Sequence, residues 1–94
     1  MATLADDELD RRLADVPEWR REAPASIARD LRFEDFAAAI AFVNRVADAA
    51  EAANHHPDIF VHDWNQVRLT LSTHSDGGVT EKDLALAAQI DELA

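Results

Sequence analysis

The four histidines of this chain lie close together in the sequence. They are His55, His56, His62 and His74, and they fall within twenty residues of a chain that has no cysteine and one lysine. An imidazole has an unperturbed pKa of about 6.5, so it can donate or accept a proton at ordinary pH. The cluster therefore indicates one of three roles: acid–base chemistry, metal binding or an exposed polar surface.

A metal site is the weakest of these interpretations. The spacing of the histidines matches no ligand pattern such as HExxH, and adjacent residues on a helix, such as His55 and His56, point about 100 degrees apart. The lack of cysteine also excludes disulfides, thiolate catalysis and thiolate-ligated zinc or iron–sulfur sites. We therefore expect no metal in the site. His62 is expected to point from a strand into solvent.

Asp83 has two interpretations between which the sequence does not choose. Thr80-Glu81-Lys82-Asp83 has the spacing of a capping box, in which the third helical side chain reaches back to the capping residue. A carboxylate here could equally serve a catalytic site. Trp19 and Trp64 present a similar choice between core or interface aromatics and surfaces on which a ligand stacks.

The composition limits the class of protein. Ninety-four residues correspond to one domain, 1–94. A formal net charge of −10 argues against nucleic-acid binding, which requires clustered Lys and Arg. No apolar run approaches the roughly 18 residues of a membrane span, and the acidic start does not have the pattern of a secretory signal. The sequence therefore predicts a cytoplasmic protein without a membrane or nucleic-acid partner.

The excess of carboxylates has two explanations. Nineteen Asp and Glu residues are present with only nine Lys and Arg. A GC-rich genome favours Arg, Ala and Asp codons, whereas a halophilic host uses dense surface carboxylate to keep proteins soluble at high salt. The salt dependence of stability separates the two.

The first part of the chain predicts a helix and two strands. Thr3 is expected to cap the helix and Pro17 to end it. Its apolar side consists of Leu9, Leu13 and Val16. Strands are predicted at 19–22 and 27–33, and Arg29 interrupts the apolar side of the second, which indicates an edge strand.

The longest helix is predicted to begin around Glu34 and Asp35, whose charges suit a first turn. Its apolar residues recur at spacings of three and four, at Phe36, Ile40, Val43, Ala47 and Ala50, and Val46 and Ala53 widen this stripe. Because the residue before a proline avoids the helical conformation, Pro57 ends this helix near Asn54 or His55. The histidine pair is therefore expected at a helix C-terminus.

The second part of the chain repeats the pattern of two strands and a helix. Strands are predicted at 59–64 and 67–73 with a turn at Asn65-Gln66, and His74 continues on the polar side of the second strand. Thr80 caps a last helix, whose apolar side consists of Leu86, Ile90 and Leu93. The order helix-strand-strand-helix-strand-strand-helix predicts an α+β fold, a four-stranded antiparallel sheet with three helices packed on one face.

The segments that carry these side chains, taken in order, resemble one protein family. They supply an acidic residue, a His-His-Pro triplet, an aromatic residue, a histidine and an aspartate, here Glu51, His55, His56, Pro57, Trp64, His74 and Asp83. This order and spacing is similar to the signature of the pterin-4a-carbinolamine dehydratases. The likeness extends over residues 16–94 and includes WNQVRLTLSTHSDGGVTEKDLALAAQID, which is similar to the family's strand, histidine, loop and last helix.

The resemblance implies a reaction and a state of assembly. Members of the family dehydrate 4a-hydroxytetrahydropterin, formed when aromatic amino acid hydroxylases use their pterin cofactor, to quinonoid dihydropterin. The partner implied is a small-molecule pterin substrate, with no metal and no cofactor of the protein's own. The family also implies the same α+β fold and a homodimer or homotetramer.

The resemblance further implies roles for individual side chains. His55 and His74 are the acid–base candidates, and His56 holds and orients the pterin. Asp83 fixes an imidazole or hydrogen-bonds the substrate, and Glu51, one turn before His55, acts on that imidazole through its charge. The catalytic set is then His55, His74, His56 and Asp83, and the substrate-binding set is His56, Pro57, Glu51 and Trp64.

Some positions depart from the family pattern, and other roles are open. Ile59 stands where relatives often carry tryptophan, Asn54 replaces an aspartate, Lys82 replaces an arginine, and the segment before Trp64 is one residue longer. One member of the family doubles as a dimerisation cofactor for a homeodomain transcription factor. A non-catalytic protein-binding role is therefore the alternative, together with a reaction on another pterin, as in molybdopterin metabolism.

Overall fold

The computed structural model describes residues 2–94 and has an α+β architecture. In chain order its elements are α1 (Asp6–Leu13), β1 (Arg20–Glu22), β2 (Ser26–Arg32), α2 (Phe36–Ala53), β3 (Asp58–His62), β4 (Gln66–Leu71), a short 3₁₀ helix (His74–Asp76) and α3 (Glu81–Leu93). The four strands form one antiparallel sheet in the order β1-β2-β4-β3. This order of elements confirms the predicted fold. Within residues 2–94, no helix has the length and apolar character to cross a membrane.

The core lies between one face of the sheet and the helices. Side chains alternate along a strand, so that Ile27 of β2 and Val67, Leu69 and Leu71 of β4 are fully buried on the same face. They form one cluster with buried helix residues, among them Leu9, Ala39, Phe42, Val46, Leu86 and Ile90. Burying one such side chain contributes about 1.5–3 kcal/mol. This cluster therefore fixes α2 and α3 against the sheet.

Arg29 lies in the interior of the sheet, so the predicted edge position of its strand is wrong. β2 pairs with β1 on one side and with β4 on the other. The guanidinium of Arg29 lies 2.5 Å from the carboxylate of Asp91 on α3, and the indole N–H of Trp19 donates to the same oxygen at 2.8 Å. A partly buried charge is tolerated in this strand because a helix supplies its counterion.

The buried face of α2 differs in part from the predicted one. The residues that α2 buries are Ala39, Phe42, Val46 and Ala50. Of these, Ala50 belongs to the predicted stripe and Val46 to its widened part, whereas Ala39 and Phe42 lie outside it. Phe36 is 54% exposed. On the buried face, the ring of Phe42 packs against that of Phe33, with ring centroids 5.0 Å apart. An alanine-rich helix that is apolar almost all round offers two stripes, and its periodicity does not select between them.

The turn between β3 and β4 contains three residues, Asp63-Trp64-Asn65, so the predicted tip at Asn65-Gln66 is wrong. Gln66 already belongs to β4 and pairs with His62. Asp63 and Trp64 adopt positive φ angles of 47° and 57°. Asn65 anchors the turn, because its side-chain amide donates to the carbonyl of Phe33 at 2.8 Å.

The start of α1 also differs from the prediction. Ala5 occupies the capping position and no side chain caps the helix, so the expected cap by Thr3 is wrong. The backbone N–H of Leu4 donates instead to the carbonyl of Val79 at 2.9 Å. The chain before α1 is thereby tied to the residue that precedes Thr80.

A second contact joins α1 to the start of α3. The guanidinium of Arg12 donates to both carboxylate oxygens of Glu81, with Nη2 2.8 Å from Oε2. This hydrogen bond lowers the pKa of Glu81 below its usual range. Since Glu81 is the first residue of α3, the contact holds the helix end that carries Asp83.

Candidate active site

A polar cleft lies where the end of α2 meets the segment between β4 and α3. Its volume is about 280 Å³. The residues that line it are Asn54, His55, His56, Ser72, Thr73, His74, Ser75 and Lys82. A larger cavity of about 380 Å³ lies beside the β1–β2 turn, but no histidine lines it. We place the candidate site in the smaller cleft because three of the four histidines reach it.

The end of α2 fixes where the histidine pair leaves the helix. Asn54 follows the last helical residue in the left-handed conformation, with a φ of 50°, which confirms the predicted end. The N–H of His55 donates to the carbonyl of Ala50 at 3.1 Å and closes the last turn. Pro57 then prevents the helix from resuming. The two imidazoles consequently start from a fixed backbone and make different contacts.

The contact between His55 and Asp83 joins α2 to α3. Nε2 of His55 lies 2.5 Å from Oδ1 of Asp83. Asp83 is fully buried, and a buried carboxylate is strongly destabilising unless donors compensate its charge. The partners of Asp83 therefore decide whether this part of the site can form.

The second oxygen of Asp83 caps α3. Oδ2 accepts from the backbone N–H of Thr80 at 2.9 Å and from the hydroxyl of Thr73 at 2.8 Å. The hydroxyl of Thr80 accepts from the backbone N–H of Lys82 at 3.2 Å, which completes the predicted capping box. Both interpretations of Asp83 therefore apply, because one oxygen caps the helix and the other contacts His55.

The positions of the hydrogens follow from these contacts. An ionised carboxylate satisfies all three donors, namely the Thr73 hydroxyl, the Thr80 backbone and Nε2–H of His55. The other ring nitrogen of His55, Nδ1, has no hydrogen-bond partner within residues 2–94. In the neutral imidazole this nitrogen is an acceptor. One nitrogen of His55 is thus available for proton exchange.

His56 contacts a different carboxylate. Its Nε2 lies 2.5 Å from Oε2 of Glu51, and both side chains are exposed. Glu51 thus contacts the neighbouring histidine and not His55, and the effect of its charge on the His55 imidazole stays a prediction. Each histidine of the pair therefore has its own carboxylate partner: His55 contacts the buried Asp83, and His56 contacts the exposed Glu51.

His74 lies in the 3₁₀ helix, so its predicted place on the polar side of β4 is wrong. The N–H of Thr73 donates to the carbonyl of Gly78 at 2.9 Å, and the chain turns back through Gly77, whose φ of 79° suits glycine. This turn brings His74, which is exposed, to the cleft that His55 lines. The two acid–base candidates therefore border one space.

Trp64 and Pro57, which were predicted to bind substrate, do not line this cleft, and neither does His62, which was predicted to face solvent. His62 contacts the carboxylate of Asp63 at 3.0 Å and stacks on Phe60, with ring centroids 4.8 Å apart. Trp64 is 60% exposed at the tip of the β3–β4 turn. Pro57 terminates α2 but is not part of the lining. The substrate-binding roles of Trp64 and Pro57 stay predictions.

Comparison with known proteins decides the family. The sequence model described as pterin 4 alpha carbinolamine dehydratase matches residues 2–93. The chain belongs to this family. Two relatives provisionally named as pterin-4-alpha-carbinolamine dehydratases, from Chloroflexus aggregans and Nocardia farcinica, are each 53% identical to it. The alignments cover 99% of this chain and 98% of the first relative, and 97% of this chain and 94% of the second.

Solved structures of dehydratase-like proteins have the same fold. A transcriptional coactivator/pterin dehydratase from Brucella melitensis superposes with a TM-score of 0.92, at 34% identity and 98% coverage of both chains. A pterin dehydratase-like protein identified as a RuBisCO assembly factor in the alpha-carboxysome superposes with a TM-score of 0.68 at 29% identity. That match covers 82% of this chain and 89% of the other.

The cleft of this dehydratase-family chain includes side chains that the sequence prediction missed. Thr73 and Ser75 flank His74, Ser72 follows the last residue of β4, and Lys82 lies in the first turn of α3. One cue was available, because Lys82 is the single lysine of the chain and precedes Asp83. Among residues 2–94, no three His, Asp or Glu side chains come close enough to share a metal ion.

Proposed function

We propose that this protein dehydrates 4a-hydroxytetrahydropterin to quinonoid dihydropterin and water. The observation that carries the proposal is the contact of His55 with a buried, capped Asp83 in a cleft that His74 also lines. The family supplies the substrate class, and the arrangement supplies the two kinds of group that the reaction needs.

The reaction requires one acid and one base and no change of oxidation state. The hydroxyl group on the tetrahedral ring carbon leaves as water after it receives a proton, and the neighbouring ring nitrogen loses its proton as the double bond forms. A positioned general acid or base contributes about 10²–10⁴ to such a step. We therefore propose that neither a metal nor a cofactor takes part.

His55 is assigned the role of general base. Its Nδ1 is the ring nitrogen without a hydrogen-bond partner among residues 2–94, and the imidazolium formed after proton uptake lies against the Asp83 carboxylate, with Oδ1 2.5 Å from Nε2. An aspartate that orients a histidine and stabilises its imidazolium has the same role in serine hydrolases. His74, which is exposed at the same cleft, is assigned the role of general acid towards the hydroxyl group.

The remaining cleft residues are assigned to substrate binding. A pterin is a small bicyclic ring with polar edges, and a cleft of about 280 Å³ lies near the lower end of the range for small-molecule sites, about 300–1,000 Å³. The exposed His56 and Lys82 and the hydroxyls of Ser72 and Ser75 can bond those edges. Glu51 orients His56 through the contact of their side chains.

The proposed roles predict different kinetics for the four histidines. His55→Ala and His74→Ala should each lower kcat by roughly 10²–10⁴. His56→Ala should chiefly raise KM, because it removes binding that ground state and transition state share. His62→Ala is the matched control, since His62 lies outside the cleft. Stopped-flow kinetics and thermal unfolding of the four variants measure both effects.

Two results of that series would overturn the assignment. One is a His62→Ala variant that loses the most activity. The other is equal loss in all four variants together with unfolding, which would point to a structural role for the histidines.

Protein binding is the second candidate function. It is favoured by the similarity to a dehydratase-like protein identified as a RuBisCO assembly factor. A scaffold has no physical need for a buried carboxylate that holds an imidazole at a cleft, so the His55–Asp83 contact favours catalysis. A chain that lacks activity in the series above, yet is folded, would favour protein binding.

A further inference from the structure

Two hydroxyl groups are buried behind the carboxylate that holds His55. Thr73 is 3% exposed and Thr80 is fully buried. Their hydroxyl oxygens lie 2.8 Å apart, and Oγ1 of Thr73 also lies 2.8 Å from Oδ2 of Asp83. Thr73 thus stands between a helix cap and the carboxylate, while its chain neighbour His74 lines the cleft.

The hydrogens in this chain of contacts have one consistent arrangement. Thr73 has one hydroxyl hydrogen, and Oδ2 of an ionised Asp83 can only accept, so that hydrogen goes to Asp83. The hydroxyl of Thr80 must then donate to Thr73, because the Thr73 oxygen has no second hydrogen to give. The Thr80 oxygen keeps its acceptor role towards the N–H of Lys82. Both hydroxyl hydrogens are therefore donated in the direction of Asp83, from Thr80 to Thr73 and from Thr73 to the carboxylate.

We propose that Thr73 is a positioning residue that fixes the tautomer of His55 through Asp83. Its hydroxyl, together with the backbone N–H of Thr80, holds Oδ2 and so keeps Oδ1 turned towards Nε2–H of His55. Nδ1 is then the nitrogen left for proton exchange. The catalytic consequence rests on the proposed function, whereas the effect on the tautomer does not.

Thr73 is better suited to a test than Thr80. Thr80 occupies the N-cap of α3, so its replacement also removes a cap. Thr73→Val removes only the hydroxyl and keeps the β-branched shape, and Oδ2 of Asp83 still accepts from the backbone N–H of Thr80. Thr73→Ser restores the hydroxyl. Thr70→Val is the matched control, because Thr70 lies on β4 and outside the cleft.

The experiment measures the ¹⁵N chemical shifts of the His55 ring, together with kcat, KM and the melting temperature, in the wild type and these variants. In the wild type, the shifts should assign the hydrogen of neutral His55 to Nε2. In Thr73→Val, the two nitrogen shifts should move towards each other as the tautomers mix. The value of kcat should fall about 10- to 100-fold, the range found when groups that orient metal-binding histidines are removed, with KM changed far less.

Rescue separates positioning from general damage. Thr73→Ser should return both the shifts and kcat towards wild type, and Thr70→Val should alter neither. The proposal is overturned if Thr73→Val keeps the wild-type shifts and kcat, or if His55 carries its hydrogen on Nδ1 in the wild type. If the wild type proves inactive while Thr73→Val still mixes the tautomers, the proposed function fails and the positioning role stands.

Discussion

Replacing Asp83 with asparagine keeps the shape of the side chain and turns one oxygen into an amide group that donates hydrogen bonds. On the Oδ2 side, Thr73 and the backbone of Thr80 both donate, so an NH₂ group there would face two donors. On the Oδ1 side it would face only Nε2 of His55. The amide oxygen is therefore expected to keep the cap of α3, with the NH₂ group towards His55.

This orientation forces the imidazole of His55 into its other tautomer. The NH₂ group needs an acceptor, so Nε2 gives up its hydrogen and Nδ1 carries it. The nitrogen assigned as the base then no longer accepts a proton. The same change in a serine protease, from aspartate to asparagine beside the histidine, lowers kcat by about 10⁴. We expect Asp83→Asn to lower kcat by about 10²–10⁴, the contribution of a positioned base.

Asp83→Asn should lower the free energy of unfolding only moderately, because the hydrogen bonds that cap α3 remain. The two bonds on the capping side persist but lose the carboxylate charge. Bonds to charged groups contribute about 1.5–3 kcal/mol and neutral ones about 0.5–1.5 kcal/mol, so the two bonds together lose about 2–3 kcal/mol. For a domain of this size, 1 kcal/mol changes Tm by about 4–8 °C. Asp83→Asn should therefore melt at a lower temperature but stay folded at assay temperature.

Stopped-flow kinetics and thermal unfolding of one sample give both numbers. Asp35→Ala is the control for lost capping, because Asp35 accepts from the N–H of Ala38 at 2.7 Å at the other end of α2. It should lose about 1 kcal/mol of stability and keep its kcat. The reasoning is refuted if Asp83→Asn, like Asp35→Ala, loses stability but keeps its kcat. Asp83 would then act only as a helix cap.

Three further predictions concern charge and assembly. The Arg68 guanidinium lowers the pKa of Asp30 through a hydrogen bond of 2.7 Å, and the charge of Arg20 lowers it further. The stabilisation is complete above the usual pKa of aspartate. It is lost as the pH falls through the lower pKa that Asp30 has in the folded protein. Acid unfolding should therefore begin at higher pH in Arg68→Gln than in the wild type. The net charge of −10 should make Tm rise from dilute buffer to molar KCl as repulsion is screened; an unchanged Tm would favour codon bias. Light scattering should give a multiple of the 10.4 kDa chain mass, and Phe36→Glu, at the exposed start of α2, should reduce it; a monomeric wild type would contradict this.

Local rules were sufficient for the parts of the site that neighbouring residues determine. The restriction that Pro57 places on its predecessors set the end of α2, and the Thr80–Asp83 spacing predicted the capping box that forms. Both depend on backbone geometry within one turn of helix. The positions of the histidine pair and of the α3 cap were therefore readable from the sequence.

Contacts between distant segments were not readable in this way. The sheet order places β2 between β1 and β4, so Arg29 is interior, and only its contact with Asp91 explains how a charge is tolerated there. The buried face of α2 depends on where the helix packs, because its alanines leave the periodicity ambiguous. The sequence offered both roles for Asp83 but could not identify its partners, since His55 and Thr73 reach it from other elements.

The rate at which the wild-type protein consumes 4a-hydroxytetrahydropterin tests the central claim most directly. Stopped-flow absorbance would follow the dehydration in buffer alone and with increasing protein, in the presence and absence of a metal chelator. Catalysis by His55 and His74 predicts a saturable acceleration that the chelator leaves unchanged. A rate equal to that of buffer, or an acceleration that disappears with the chelator, would contradict it.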